Sequence, residues 1–501
     1  MKKHLDQLKK TEQELHLLSG VSALLGWDRA TAIPKKAVPQ RAEQAAYLST
    51  LIHEKVTSPA FKKTVQILSK NSSQLSAQDQ CIVKHYVKDL KKIEKIPKKH
   101  VEEFARLCTK SEHAWEEARR KKDFSIFAPY LEKVLQMKLQ EAKYVDAQEH
   151  PYNVLLDDFE EGMTFQKINP VFETLKAGLR EIIKNITSSP VYKQQKNILQ
   201  KLDFPVEKQK AIAKDIKNKI LGEFPDRHTD AVSMHPFTTR ISADDVRITT
   251  AYREGQPLFS FTSTAHESGH ALYELGFSEK LQGTILSDAP SMGLHESQSR
   301  FWENQITKSK EFWQSYYRSY QQQFPSLHKI SFDKFYAQVN QVKPSLIRIE
   351  CDEVTYCLHI VIRYELEKAL LEGKLKVKDL PAAWNKKYKE YLGVTPQHNG
   401  EGVLQDMHWS EGLFGYFPTY ALGTMYSAMI FSQLKKEHPQ VMKELQQGDF
   451  STVRTWLREK IHQHGATMLT EELIRKVCKR DLTPDDFLNY LNEKYYPLYQ
   501  I

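Results

Sequence analysis

The chain has 501 residues, with 72 Lys or Arg against 63 Asp or Glu, a net charge of +9, and 40% hydrophobic and 27% charged residues. That length allows about three domains or one large helical body, and the composition excludes a disordered chain, a collagen or a mucin. No run approaches the roughly 18 apolar residues of a membrane-spanning helix, so no membrane partner is expected.

The start, MKKHLDQLKKTEQELHLLSG, has lysines but not the apolar core of a signal peptide. Thr11-x-x-Glu14 reads as a capping box and Ser19-Gly20 as a stop. A helix follows from about Ala77 to Glu94, with Ile82, Val83, Tyr86, Val87, Leu90 and Ile93 on one face, and Pro97 ends it. Stretches 100–148, 165–187 and 205–221 read the same way. Only 19 glycines and 21 prolines fit long helices better than a turn-rich β protein. Residues 1–100 carry 19 basic and 9 acidic side chains, and the remainder is nearly balanced. The lysines at 91, 92, 95, 98 and 99 have no nucleic-acid motif beside them, so they read as a solvated helix face and no nucleic-acid partner is expected. Cys81, Cys108, Cys351, Cys357 and Cys478 are scattered and odd in number, which suits a reducing compartment and hence the cytoplasm.

One region breaks the helical rhythm. Ser233–Ile241 and Asp245–Tyr252 are rich in Thr, Val, Ile and aromatics around a polar turn, the mark of an antiparallel hairpin, and Pro257–Phe261 is a candidate third strand. From Thr262 to Leu275 the pattern turns helical, with Gly276 as its C′ residue. The fold class is therefore mainly α, with a small antiparallel sheet leading into one helix.

That helix carries His266-Glu267-Ser268-Gly269-His270, an H-E-x-x-H pattern. Positions i and i+4 share a helix face, so both imidazoles can converge on one ion with Glu267 beside them. Catalytic zinc needs a third protein ligand and an open position. No histidine follows at the short spacing of one zinc-peptidase group, so the ligand comes from farther on. Glu296, 26 residues after His270, is the first candidate, with Glu303 and His295 as rivals and Asp288 as a helix N-terminal residue. Two neutral imidazoles and one carboxylate leave zinc positive enough to acidify water, Glu267 suits the general base, and the chemistry is amide hydrolysis.

With these residues in place, the chain resembles the carboxypeptidase Taq family of zinc metallocarboxypeptidases from end to end. His235-Pro236-Phe237 matches H-P-F, Asp245 to Thr249 matches D-x-R-x-T, and His295-Glu296-Ser297-Gln298 matches the third-ligand motif. Gly402 to Trp409 matches G-x-x-Q-D-x-H-W, and Ile347 to Asp352 matches I-R-x-x-A-D with Cys351 in place of Ala. The resemblance implies His266, His270 and Glu296 as ligands of one Zn²⁺, which Co²⁺ could replace. It implies a single domain over 1–501 of the neurolysin and angiotensin-converting-enzyme kind, with a deep central groove, and a homodimer. Residues 1–100 would be basic lid helices, 233–300 the sheet and zinc core, and 345–425 the substrate-binding motifs. The implied activity is broad-specificity release of residues, one at a time, from short peptides with a free C-terminus.

A free α-carboxylate calls for arginine, which binds it through two parallel charge-assisted hydrogen bonds. Arg247, Arg253, Arg300 and Arg348 are the candidates. Arg348 comes first, against an i, i+4 pair with Asp352, and Arg247 is weighed against a hairpin pair with Asp245. His408 and Tyr420 are candidate donors to the scissile carbonyl, and Trp409 a candidate groove wall. An endo-acting oligopeptidase and a non-catalytic helical scaffold are the alternatives.

Overall fold

The computed structural model describes every residue, Met1–Ile501. The chain opens with five helices: α1 (Lys2–Thr31), α2 (Val38–Thr57), α3 (Pro59–Lys70), α4 (Ala77–Lys95) and α5 (Lys98–Lys121). Ser76 caps α4, its Oγ accepting the Asp79 N–H at 3.1 Å, and Pro97 separates α4 from α5 as the sequence predicts. The long 100–148 pattern resolves into α5 and a helix Ala128–Val145, broken where Lys122 turns left-handed at φ 59°.

The start of the chain departs from expectation. Thr11 and Glu14 lie inside α1, where the Thr11 hydroxyl donates back to the Gln7 carbonyl at 3.0 Å. Gly20 does not stop α1. It makes room: a Cβ there would sit 2.5 Å from the Ile241 carbonyl oxygen of the sheet. α1, α3 and α4 share a small core of their own, built on Leu8, Leu15, Phe61, Val65, Leu68, Ile82, Val83 and Tyr86 and closed by Leu281 and Leu286 from the body. The lysine-rich face of α4 is only partly solvated. Lys88 reaches Asp157 at 2.9 Å and Glu161 at 3.2 Å, and Lys92 pairs with Asp158, so the body neutralises part of the charge.

The sheet has three strands, β1 (His228–Val232), β2 (Thr238–Ser242) and β3 (Asp245–Thr250), in the order β1-β3-β2. The β2–β3 hairpin is antiparallel as expected, but β1 runs parallel to β3, which makes the sheet mixed rather than antiparallel. Pro257–Phe261 is not a strand. Pro257 begins the helix Pro257–Leu275, since a missing N–H costs nothing in a first helical turn. This helix is almost wholly buried between the sheet, the preceding helix Val206–Leu221 and the helices that follow.

Two glycines let its neighbours approach. A Cβ at Gly269 would lie 2.6 Å from the Gln298 carbonyl oxygen, on the helix Met292–Arg300, and one at Gly423, on the helix Pro418–Glu437, 2.8 Å from Glu296 Cβ. Gly276 does follow the Pro257–Leu275 helix, but with φ −88°; a Cβ there would meet His462 at 2.7 Å. Between the first helices and the body lies a cleft of about 1720 Å³, lined by α1, α2 and α4 on one side and by Arg240, Ile241, Glu274 and Asp288 on the other.

Candidate metal centre and the residues around it

His266 and His270 project from one face of the Pro257–Leu275 helix, their ring centroids 4.9 Å apart. Glu296 meets them from the Met292–Arg300 helix, whose N-terminus is capped by Ser291 Oγ accepting the Leu294 N–H at 3.1 Å. Glu296 Oε2 lies 3.6 Å from His266 Nε2 and 3.5 Å from His270 Nε2. Tetrahedral zinc with bonds of about 2.0–2.1 Å places its ligand atoms ~3.4 Å apart; both distances from Glu296 Oε2 match that spacing, and the three ligand atoms all lie within 4.8 Å of one another.

What surrounds the three atoms fixes them. His266 Nδ1 is 2.9 Å from Glu303 Oε2, the carboxylate–histidine arrangement that turns Nε2 towards a metal. Burial pushes the Glu303 carboxyl up, but Lys308, Arg300 and His266 outweigh it and hold the group well below the usual range. Glu303 lies in a short π-helical segment, Phe301–Ile306, which continues the Met292–Arg300 helix. Arg300 Nε donates to Glu296 Oε1 at 2.7 Å, leaving only Oε2 for the imidazoles. His295 stacks on His270, centroids 4.5 Å apart, while its Nε2 meets Glu274 Oε1 at 2.8 Å. Both rivals for the third position thus face the imidazoles from outside the cluster. Asp288 lies in the preceding loop rather than at the helix start.

Glu267 is buried one step round the helix, and burial raises its pKa despite the opposing pull of His266 and Thr238. Thr238 Oγ1 lies 2.7 Å from its Oε2.

Of the substrate-binding candidates, Arg348, His408 and Tyr420 sit in the 345–425 segments, and Arg247, Arg253 and Arg300 lie before them. Arg348 is buried in a 3-10 turn, Arg348–Glu350, so the helical i, i+4 pair with Asp352 does not form. Asp352 instead accepts the N–H groups of Lys343, Val354 and Thr355. Arg348 Nε and Nη2 both donate to Asp406 Oδ1, at 3.0 and 2.8 Å, and its guanidinium lies 5.0 Å over the Tyr420 ring. Arg247 forms the hairpin pair, Nε and Nη2 each 2.8 Å from an Asp245 oxygen. Arg253 contacts Glu350 at 3.3 Å. Every candidate arginine therefore has an acidic partner.

His408 Nε2 is 3.2 Å from the Tyr420 hydroxyl, and burial pulls the His408 pKa down to about 4, so the imidazole is neutral at pH 7. Trp409 does not wall the groove; it is buried, with Nε1 donating to Glu367 at 2.8 Å. Cys351 precedes the helix Tyr356–Leu371 that carries Cys357, and both are free thiols. Arg300, four residues after Glu296, reads in the sequence as pairing with an acid of its own helix, and it does so with Glu296; Glu303 as orienter and Thr238 beside Glu267 have no such signal there. The three-residue step from Arg300 to Glu303 was visible there, but its target was not.

A mostly helical body with two histidines a turn apart, a carboxylate from the next helix and a buried glutamate beside them defines an H-E-x-x-H metallopeptidase. The chain belongs to the carboxypeptidase Taq (M32) metallopeptidase family, whose profile matches residues 7–495, and it is a metallocarboxypeptidase, a peptide hydrolase. It is 41% identical over 478 residues to carboxypeptidase 1 of Bacillus subtilis, 95% of each chain, and 37% identical to thermostable carboxypeptidase 1 of Thermus thermophilus, 98% of each. The crystal structure of M32 carboxypeptidase from Deinococcus radiodurans superposes with a TM-score of 0.95 at 36% identity, covering 100% of both chains.

Proposed function

We propose that the enzyme is a zinc carboxypeptidase that removes residues singly from the C-termini of short peptides, with His266, His270 and Glu296 holding the metal. The convergence of two imidazole nitrogens and one carboxylate oxygen at 3.5–3.6 Å, beside a buried Glu267, carries the reading. Zinc bound there supplies Lewis-acid polarisation of the scissile carbonyl and a lowered pKa for water. Glu267 takes the proton of the attacking water and passes it to the leaving amine. His408, neutral and paired with Tyr420, orients the phenol so that Tyr420 donates to the carbonyl oxygen as it gains charge. Arg348 anchors the terminal carboxylate. Its tie to Asp406 holds the guanidinium in one orientation, and Arg247 is its second donor.

Residues 1–100 act as the lid of a single domain, 233–300 as its zinc core and 345–425 as its substrate-binding part. Five free thiols suit a cytoplasmic enzyme, and no helix is long and apolar enough to cross a membrane. The exposed apolar run Leu17, Val21 and Leu24 along α1 supports a homodimer, which sedimentation tests. A mixed peptide pool, incubated with and without chelator and read by mass, tests the activity: single-residue C-terminal ladders that chelator abolishes are expected. Internal fragments from end-capped peptides would overturn the exopeptidase reading, and chelator-insensitive cleavage the metal.

A further inference from the structure

The sheet meets the metal-site helix at one side chain. Thr238, the first residue of the edge strand β2, places Oγ1 2.7 Å from Glu267 Oε2 and 3.0 Å from the Glu267 carbonyl oxygen. The strand itself is held firmly. Thr238 lies opposite Ile248 of β3, and the preceding Phe237 N–H donates to Thr249 Oγ1 at 2.9 Å. A β-branched residue in a strand has few χ1 positions open to it, so β2 sets where the hydroxyl lies. The carboxylate of Glu267, on a longer side chain, is the mobile partner, and its Oε1 has no protein partner to fix it.

We propose that Thr238 is the positioning residue for the general base. Its single hydroxyl proton, given to Glu267 Oε2, fixes the rotation of the carboxylate and turns Oε1 towards the attacking water. Oε2 is then occupied by a donor, so the proton lost by water goes to Oε1. As the water oxygen bonds to the carbonyl carbon, that proton sits on Oε1, and it moves to the leaving nitrogen when the C–N bond breaks. Thr238 itself touches neither peptide nor metal.

The inference rests on Glu267 being the base, and the experiment separates the two. Thr238→Val, Thr238→Ser and Glu267→Gln are measured beside the native enzyme for zinc content, kcat and KM on one peptide, and thermal midpoint. Thr238→Val keeps the shape but lacks the donor. It is expected to retain zinc, KM and the midpoint while kcat falls about 10- to 150-fold, the rate equivalent of one hydrogen bond to a charged group. Thr238→Ser, which restores the donor, should recover kcat to within about threefold. Should Thr238→Val not fold, Thr238→Ala takes its place. If Glu267→Gln turns over normally, the base assignment fails, and the inference with it. If Glu267→Gln is dead yet Thr238→Val matches the native enzyme, loses zinc, or is no slower than Thr238→Ser, Thr238 is a packing contact and the inference is overturned.

Discussion

Arg348 and Asp406 are 58 residues apart in sequence, and both Nε and Nη2 of the arginine converge on one oxygen of the aspartate. Arg363 Nε takes the other, at 2.7 Å. Burial alone would raise the Asp406 carboxyl; Arg363 and Arg348 reverse that and hold it far below the usual range. Asp406 is thus a fixed negative point between two arginines, Arg363 fully enclosed and Arg348 slightly exposed.

If Arg348 anchors the substrate's terminal carboxylate, its worth can be read from matched substrates. A hydrogen bond to a charged group contributes about 1.5–3 kcal/mol, so Arg348→Ala should lower kcat/KM on a free-acid peptide roughly 10- to 150-fold. On the amidated peptide the loss should nearly vanish. Equal slowing on both would make Arg348 a structural partner of Asp406 and nothing more.

Glu267 and Glu296 are both buried glutamates, yet their substitutions should fail differently. Glu267→Gln should keep metal near native occupancy and lose about 10²–10⁴-fold in turnover. Glu296→Ala should lose the metal itself, because Oε2 is the oxygen facing both imidazoles. Metal analysis after gel filtration distinguishes them; native metal content in Glu296→Ala would refute the ligand set.

Glu303 makes no approach to the metal position, but it holds His266 Nδ1 at 2.9 Å and gathers Arg300 and Lys308. Substitution of such an orienting carboxylate typically costs 10–100-fold in metal affinity. Glu303→Gln should show a loss in that range by competition with a chelator. Unchanged affinity would mean that the helix alone orients His266.

The metal cluster was legible because its information is local: i and i+4 on one helix, and a glutamate on the next. The substrate side was not. Arg348 reads as an i, i+4 partner of Asp352 only if a helix runs between them, and the chain there is a 3-10 turn followed by loop. Its true partner comes from a segment that only the fold brings near. The same holds for β1, whose His228–Val232 has no strong alternation and becomes a strand by pairing with β3. Pro257 reads as the border of a strand but opens a helix, since proline suits the first helical turn as well as a strand edge. Gly20 reads as a stop, although its role is to let a strand carbonyl approach.

Gly423 predicts a coupling between packing and metal. A Cβ there would press on Glu296 Cβ and on the Gly293 carbonyl oxygen, both at 2.8 Å. Overpacking of this kind costs typically 1–3 kcal/mol, more than the gain of about 1 kcal/mol from replacing glycine inside a helix. Gly423→Ala should therefore lower both the thermal midpoint and the metal affinity. A stabilised variant with native metal binding would show that the two helices can separate without moving Glu296.

Glu12 predicts a pH dependence that belongs to α1. It is buried on α1, with Oε1 accepting the Ile285 N–H at 3.0 Å across the helix–body boundary and Oε2 unpartnered. Burial, more than the backbone hydrogen bond can offset, raises its pKa from an ordinary 4.5 to about 7. Between those values the folded protein keeps a proton that the unfolded chain has released. Its contribution to stability is therefore complete below about pH 4.5 and is lost as pH rises through 7, a change on the order of 3 kcal/mol. Glu12→Gln is neutral throughout, so its thermal midpoint should match the native enzyme near pH 5 and exceed it increasingly towards pH 8. A gap that does not widen with pH would mean that Glu12 ionises freely in the folded protein. If the gap does widen, Ile285 is the contact through which α1 and the loop between the two metal-site helices feel the proton.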